Sequence, residues 1–273
     1  MHHKFSVVTT FNTDGYKKYG KRMIESFIQN WPTEVDLLVY AEDCEVEEVA
    51  PNLQVFNLHQ ASPELVLFKQ QWKDIPKANG DVTDDPIRSL RKDAGKGFKW
   101  DAVRFAHKVY AIFAANTQST HWLIWMDADT ICHSPITHNQ LCELCPDNKD
   151  ICFLGRKNKY TECGLYAMNL QSENVIMFLK EFQQVYDHAE TGIFTMAEWH
   201  DSYVFDVVRK KVPMIELDWS SHLINGEGHP LINSDWGQYL DHLKGDRKHA
   251  GHSKLKDLKV IRTESYWQKL GHA

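Results

Sequence analysis

The sequence predicts an α/β fold with a mostly parallel central sheet flanked by helices, and three observations carry that expectation. Short apolar runs of strand length alternate with amphipathic stretches of helical period along most of the chain. The chain opens strand, helix, strand, as parallel sheets do. The apolar run Trp122-Leu-Ile-Trp-Met126 then stops at two acids one residue apart, Asp127 and Asp129. A buried strand reads this way, and its polar end lies at the sheet edge where α/β proteins bind ligands.

Phe5 to Thr10 reads as the first strand, and Lys17 to Asn30 as a helix with Tyr19, Met23, Ile24, Phe27 and Ile28 near one face. Trp31-Pro32 ends it, because proline disfavours a helical residue before it. Val35 to Tyr40 and Leu53 to Phe56 are the next strands, which makes the opening a Rossmann-like nucleotide-binding half. Thr9, Thr10, Phe11 and Asn12 stand at the end of the first strand. There they either dock a nucleobase or serve as ordinary strand-end turn chemistry.

Residues 74 to 99 break the regularity with Pro76, Asn79-Gly80, Asp84-Asp-Pro86 and Gly95-Lys-Gly97, which predicts a long, mobile surface loop closing over a site or meeting a substrate. Asp101 to Asn116 resumes a helix with Arg104 and Lys108 four apart on one face. Pro135 to Leu144 reads as a short helix, Ile151 to Gly155 as a strand, Glu173 to Ala189 and Trp199 to Lys211 as helices, and Pro213 to Leu217 as a late strand. Asp218 to Ser234 is rich in Gly, His and Trp without period, a loop around a site.

A chain of 273 residues, 42% hydrophobic and 25% charged, is enough for one substantial core. Its net charge of −6 supplies no global attraction to nucleic acid or anionic lipid. Locally, Lys244 to Lys259 holds six Lys/Arg against two Asp, which suits a phosphate group. No apolar segment approaches the roughly 18 to 20 residues of a membrane span, and Met-His-His-Lys-Phe lacks a signal-peptide core. The expectation is a cytoplasmic protein, peripheral at a membrane if its acceptor is lipid-linked. Of the six cysteines, Cys142-x-x-Cys145 with Cys132, His133 and Cys152 has some zinc-site character. The absence of a matching second half favours free, partly buried thiols.

Two carboxylates on one spot invite Mn²⁺ or Mg²⁺ with a phosphate-bearing substrate, provided strand geometry persists through Ala128 so that both side chains point the same way. The alternative is a strand-end turn with solvated or capping carboxylates. Downstream, Tyr239-Leu-Asp-His242-Leu-Lys-Gly245-Asp-Arg-Lys248 contains His-x-x-Gly-x-x-Lys. A neutral imidazole completes a cation's coordination, a glycine admits a phosphate closely, and a lysine supplies charge.

With these motifs the chain resembles the GT-A glycosyltransferases, and most the glycogenin and lipopolysaccharide galactosyltransferase group, family 8. Thr161-Glu-Cys-Gly164-Leu-Tyr-Ala-Met-Asn169-Leu resembles the group's intermediate strand, and the order of the elements agrees over about residues 5 to 255. The resemblance implies one GT-A domain over 1–273, with a nucleotide-sugar-binding half (1–130) and an acceptor half with a C-terminal diphosphate-binding segment (131–273). It further implies that Asp127, Asp129 and His242 hold the metal, and that Asp127 and Ala128 lie against the donor. Gly245 and Lys248 hold the diphosphate, Lys108 reaches the donor from its helix, and Asp201 with Ser202 stands near the transferred sugar. Ser202 replaces the group's glutamine, and Val8-Thr-Thr-Phe-Asn12 replaces its usual Ala-Asp sequence, which marks a divergent relative.

The implied reaction moves a hexose from a nucleoside diphosphate sugar, UDP-glucose or UDP-galactose, to an acceptor hydroxyl on a glycan or lipid-linked glycan, with retention favoured. Trp219, His222, His229 and Trp236 are candidate acceptor-side residues, since aromatic rings suit sugar faces, with a core or loop role the more ordinary one for each. The alternatives are a metal-dependent nucleotidyltransferase or phosphoesterase, a non-catalytic binding protein, and sugar transfer to a hydroxylated DNA base.

Overall fold

The computed structural model describes residues 4–116, 120–223 and 228–271. Its strands are β1 (Phe5–Phe11), β2 (Asp36–Ala41), β3 (Leu53–Asn57), β4 (Trp122–Met126), β5 (Thr130–Cys132), β6 (Ile151–Phe153), β7 (Leu165–Asn169), β8 (Glu216–Asp218) and β9 (Leu240–His242). Seven of them form one sheet in the order β3-β2-β1-β4-β7-β6-β8. β1 to β4 are mutually parallel, β6 is parallel to β8, and β7 runs antiparallel between β4 and β6. The expected α/β class with a mostly parallel, helix-flanked sheet is therefore present.

Because side chains alternate across a strand, each face carries its own core. On one face Val8, Leu38, Leu123 and Met168 pack under helices 63–72, 102–115, 173–187 and 201–209. On the other, Val7, Leu37, Ile124 and Ala167 meet helices 21–30 and 138–144 and the buried Trp219, Trp236 and Trp267. Residues from both sides of position 130 enter both layers.

The first helix begins earlier than its apolar stripe suggests. The Asn12 side chain accepts from Gly15 N at 2.8 Å, and an α turn (Thr13–Gly15) and a π turn (Tyr16–Gly20) lead into Lys21–Asn30. Helix 102–115 is capped by the Asp101 carboxylate, and 138–144 by a Thr137–Gln140 capping box. Helix 63–72 is not legible from periodicity, because Leu65-Val-Leu-Phe68 is a continuous apolar run in which only Leu65 and Phe68 are buried.

Residues 74–99 differ from the expected mobile loop. Three 3₁₀ turns (Pro76–Asn79, Arg88–Leu90, Gly97–Trp100) punctuate them, and Ala78, Val82 and Trp100 are buried. Arg91 and Lys99 both pair with the buried Glu198 carboxylate, at 2.9 and 2.8 Å, which ties the segment down. Within the expected loop 218–234, residues 224–227 lie outside the described residues.

β5 and β9 form a separate two-stranded ribbon, which has no signature in the local sequence pattern. Its antiparallel register sets Thr130 opposite His242, and Leu243 N donates to Asp129 O at 2.8 Å. This pairing fixes the late segment beside the end of β4.

Candidate active site

Strand geometry does not persist through Ala128: β4 ends at Met126, and Asp127-Ala-Asp129 is a turn. Thr130 N closes it on Asp127 O at 3.0 Å, while Asp127 N donates to Gly164 O on the neighbouring strand's approach at 2.8 Å. The carboxylates converge because the turn folds them together, and the two-residue strand period plays no part. The correction leaves the chemistry intact.

His242 Nε2 lies 3.0 Å from Asp129 Oδ1 and 3.6 Å from Asp127 Oδ2. One ligand atom from each of the three residues falls within 4.8 Å of the others, a set of two hard oxygens and one imidazole nitrogen that fits Mn²⁺ or Mg²⁺. Burial lowers the His242 pKa, but Asp129, Asp127 and Glu162 outweigh it and hold the ring protonated above the usual histidine range. A cation bound there would take the place of that proton. Gly164 lets the ring in, since a Cβ at that position would meet His242 Cε1 at 2.5 Å.

Asp129, Asp127, Lys108 and Asp201 are paired with one another or with close neighbours around this centre. Burial pushes Asp129 up, yet His242 and Lys248, whose Nζ is 2.9 Å from Oδ2, hold it far below the carboxylate range. Lys108 is buried rather than on an exposed charged face. Its ammonium pairs with Asp127 at 3.0 Å and Asp201 at 2.8 Å, donates to Cys163 O, and lies 4.7 Å from the Trp125 ring. Burial disfavours that charge, and the two carboxylates reverse the effect and raise its pKa well above normal. Asp201 is half-buried and held low by the same ammonium. Trp125 Nε1 adds a 2.7 Å bond to Asp127.

Two openings meet here. A pocket of about 410 Å³ is lined by Thr10, Phe11, Asn12, Tyr19, Glu42, His107, Lys108, Ala128 and both DxD carboxylates. Thr9 does not reach it: on the same face of β1 as Val7, it is fully buried. Glu42, which the sequence did not single out, lies 3.5 Å from His107 Nε2. Burial drives its pKa up to about 7 and that of His107 down to about 4. A cleft of about 1180 Å³ adjoins, sharing Phe105, Asp127, Asp129, Asp201 and Lys248 and adding Ser202, Gly245, Arg156, Tyr160 and Phe98. Gly245 has φ +65° and open space around its Cβ position, so its glycine answers a backbone need.

Other expectations meet corrections. Trp219 and Trp236 are core residues, the Trp219 indole N–H donating to Leu144 O at 2.7 Å, so they offer no acceptor platform. His222 is engaged with Asn233 O at 3.0 Å. His229 is buried beside His242, with both ring nitrogens unpartnered, and burial lowers its pKa to about 3. It groups with His242 and Glu162, but Arg156 and Lys244 already neutralise Glu162. The six thiols are free, and no grouping of metal ligands among the described residues includes one. Among the described residues, no helix is long and apolar enough to cross a membrane.

No family model matches the sequence, and no curated protein does. Solved structures resemble it at low identity. The chain superposes on an apo structure of the WbbM bifunctional glycosyltransferase (10% identity, 81% of this chain and 39% of that one, TM-score 0.47). It does so on mouse xyloside xylosyltransferase 1 (12%, 78% and 84%, TM-score 0.45) and on a glycosyltransferase involved in glycosylating the major capsid of PBCV-1 (13%, 90% and 98%, TM-score 0.44). The chain thus spans about two fifths of the WbbM chain. With TM-scores below 0.5, these likenesses assign no function, and the functional reading rests on the geometry of the site.

Proposed function

We propose that this chain transfers a hexose from a nucleoside diphosphate sugar, UDP-glucose or UDP-galactose, to an acceptor hydroxyl at a cation held by Asp127, Asp129 and His242. The observation that carries the reading is the meeting of His242 with Asp129 at 3.0 Å across 113 residues of sequence, with Lys248 on the same carboxylate. In this reading residues 1–130 supply the nucleotide end and 131–273 the acceptor side.

A bound Mn²⁺ or Mg²⁺ would supply Lewis-acid stabilisation of the departing diphosphate. The chain's own residues do the rest. Thr10, Asn12 and Tyr19 line the pocket that receives the nucleoside, with Glu42 and His107 at hand for the base edge. Lys248, paired with Asp129, is the cation nearest to hand that would hold the diphosphate if a metal occupied that carboxylate, and the Gly245 turn leaves space for the phosphate. The developing negative charge thereby meets a positive group positioned in advance. The acceptor oxygen bonds to the anomeric carbon, and the bond from that carbon to the diphosphate breaks. Its electron pair leaves with the diphosphate, and the acceptor proton passes to the diphosphate or solvent. Asp201, kept ionised by Lys108, is matched to orienting the sugar and stabilising positive charge on its ring rather than to taking a proton. That role accords with retention.

Incubation with each UDP-sugar and Mn²⁺ tests the proposal. Slow release of UDP and free hexose, lost in Asp129→Ala, is the expected result. Release of UMP or inorganic phosphate instead means transfer of phosphorus and overturns it.

A further inference from the structure

The large cleft continues beyond the proposed sugar site into a second of about 580 Å³, the two sharing Arg156, Lys159, Asp206 and Lys210. Along this surface Lys96, Lys157, Lys159 and Lys210 are exposed, and none has a carboxylate partner among the described residues. The acids nearby are spent. Asp206 accepts from Thr161 and Arg209, Glu216 pairs with Arg209, and Asp218 accepts from Gly155 N and Ser220. Lys157 and Lys159 flank Asn158, whose φ of +58° makes the turn that presents them. Phe98, 49% exposed, joins Phe105 and Tyr160 on the wall.

An uncharged glycan has no use for a row of unpaired ammonium groups, and a single lipid-borne diphosphate would occupy one pair of them. Four cations from three chain segments, running through two joined clefts beside the exposed Phe98 and the half-buried Phe105 and Tyr160, match a chain of phosphates with stacking bases. The net charge of −6 describes the whole molecule and is silent about this field.

We propose that the acceptor hydroxyl is carried on a single-stranded or locally unpaired nucleic acid, whose backbone runs past Lys96 in the large cleft, Lys159 and Lys210 where the clefts join and Lys157 in the second, while a base or sugar hydroxyl enters beside Asp201. The proposal rests on the glycosyl-transfer reading and keeps its atom balance: the new bond joins the nucleic acid oxygen to the anomeric carbon, and the diphosphate leaves with the electron pair. Fluorescence anisotropy with a short labelled single strand carrying hydroxymethyl-pyrimidine measures binding without donor. The affinity is expected to fall with salt between about 50 and 200 mM, with a logarithmic slope of magnitude about 3. Lys159→Glu/Lys210→Glu should weaken binding at least about tenfold and reduce the slope by about 2, with Lys159→Gln/Lys210→Gln intermediate. Lys73→Glu/Lys180→Glu carries the same change in net charge at exposed lysines off both clefts and should bind as wild type. Absent or salt-independent binding, equal weakening in both double variants, or labelled hexose appearing on a neutral glycan or lipid-linked diphosphate and not on the strand overturns the proposal. Strand binding without stabilisation by UDP-sugar and Mn²⁺ in a thermal shift instead sinks the sugar-transfer reading, and the acceptor role with it, while leaving the nucleic-acid-binding surface.

Discussion

The metal end of the site and the rim of the large cleft are built on opposite electrostatic principles. At the first, the charges are buried or half-buried and answered: Lys108 sits between Asp127 and Asp201, and Asp129 between His242 and Lys248. At the second, lysines stand exposed without acids. Mutual pairing holds side chains in one geometry before any ligand arrives, at a desolvation cost that only partners offset. Unpaired surface cations instead leave their charge for an anion that comes from outside. The contrast separates a rigid region, where one substitution disturbs several groups, from an adaptable one where it disturbs a single contact.

The largest expected consequence is at Asp129. Asp129→Asn should lower sugar-transfer activity by at least about a hundredfold, since it removes a cation ligand and the partner of both His242 and Lys248. Steady-state rates across a Mn²⁺ titration check this, and activity within a few-fold of wild type would break the comparison at its centre. Lys108→Met should cost roughly 3–5 kcal/mol in urea unfolding, because two carboxylates lose the ammonium between them. A variant as stable as wild type would mean that the pairing contributes nothing to the fold.

Glu42 sharpens the comparison, being a half-buried acid of the small pocket whose pKa desolvation raises to about 7. A carboxyl whose folded pKa is raised adds stability that is complete below its ordinary pKa of 4.5 and is lost as pH rises through about 7. Glu42→Gln should therefore match wild type near pH 4 and exceed it above pH 7, by on the order of 3 kcal/mol. Parallel stability curves across that window would leave Glu42 without an electrostatic role in the fold. Gly245→Ala should cost about 1–2 kcal/mol through its positive φ, read as a fall in thermal midpoint. At the other extreme Lys157→Ala, with no partner to orphan, should stay within about 0.5 kcal/mol of wild-type stability in the same assay.

Much of the site was legible from local chemistry. Asp127, Asp129, His242, Gly245, Lys248 and Asp201 were nameable because motif spacing and residue type express what a cation and a diphosphate require. Lys108 was nameable only through family resemblance; its helix by itself leaves an exposed charged face equally open, and burial decided the matter. Glu42, Phe98, Tyr160 and the lysine track carried no local signal, since their meaning comes from neighbours remote in sequence. Trp219 and Trp236 stood between a sugar platform and a core role for the matching reason: an aromatic in an aperiodic stretch suits either, and burial places both in the core.

By itself, the sequence determined the parallel-sheet class, the end of β4 and the residue types able to grip a cation, because periodicity and side-chain chemistry are local properties. Tertiary structure alone decided that a turn rather than strand period brings Asp127 and Asp129 together, and that the β5–β9 register delivers His242 to them. It likewise decided which charges are paired. Those outcomes depend on contacts across more than a hundred residues, where hydrogen-bond register and burial, not neighbouring letters, set the energy.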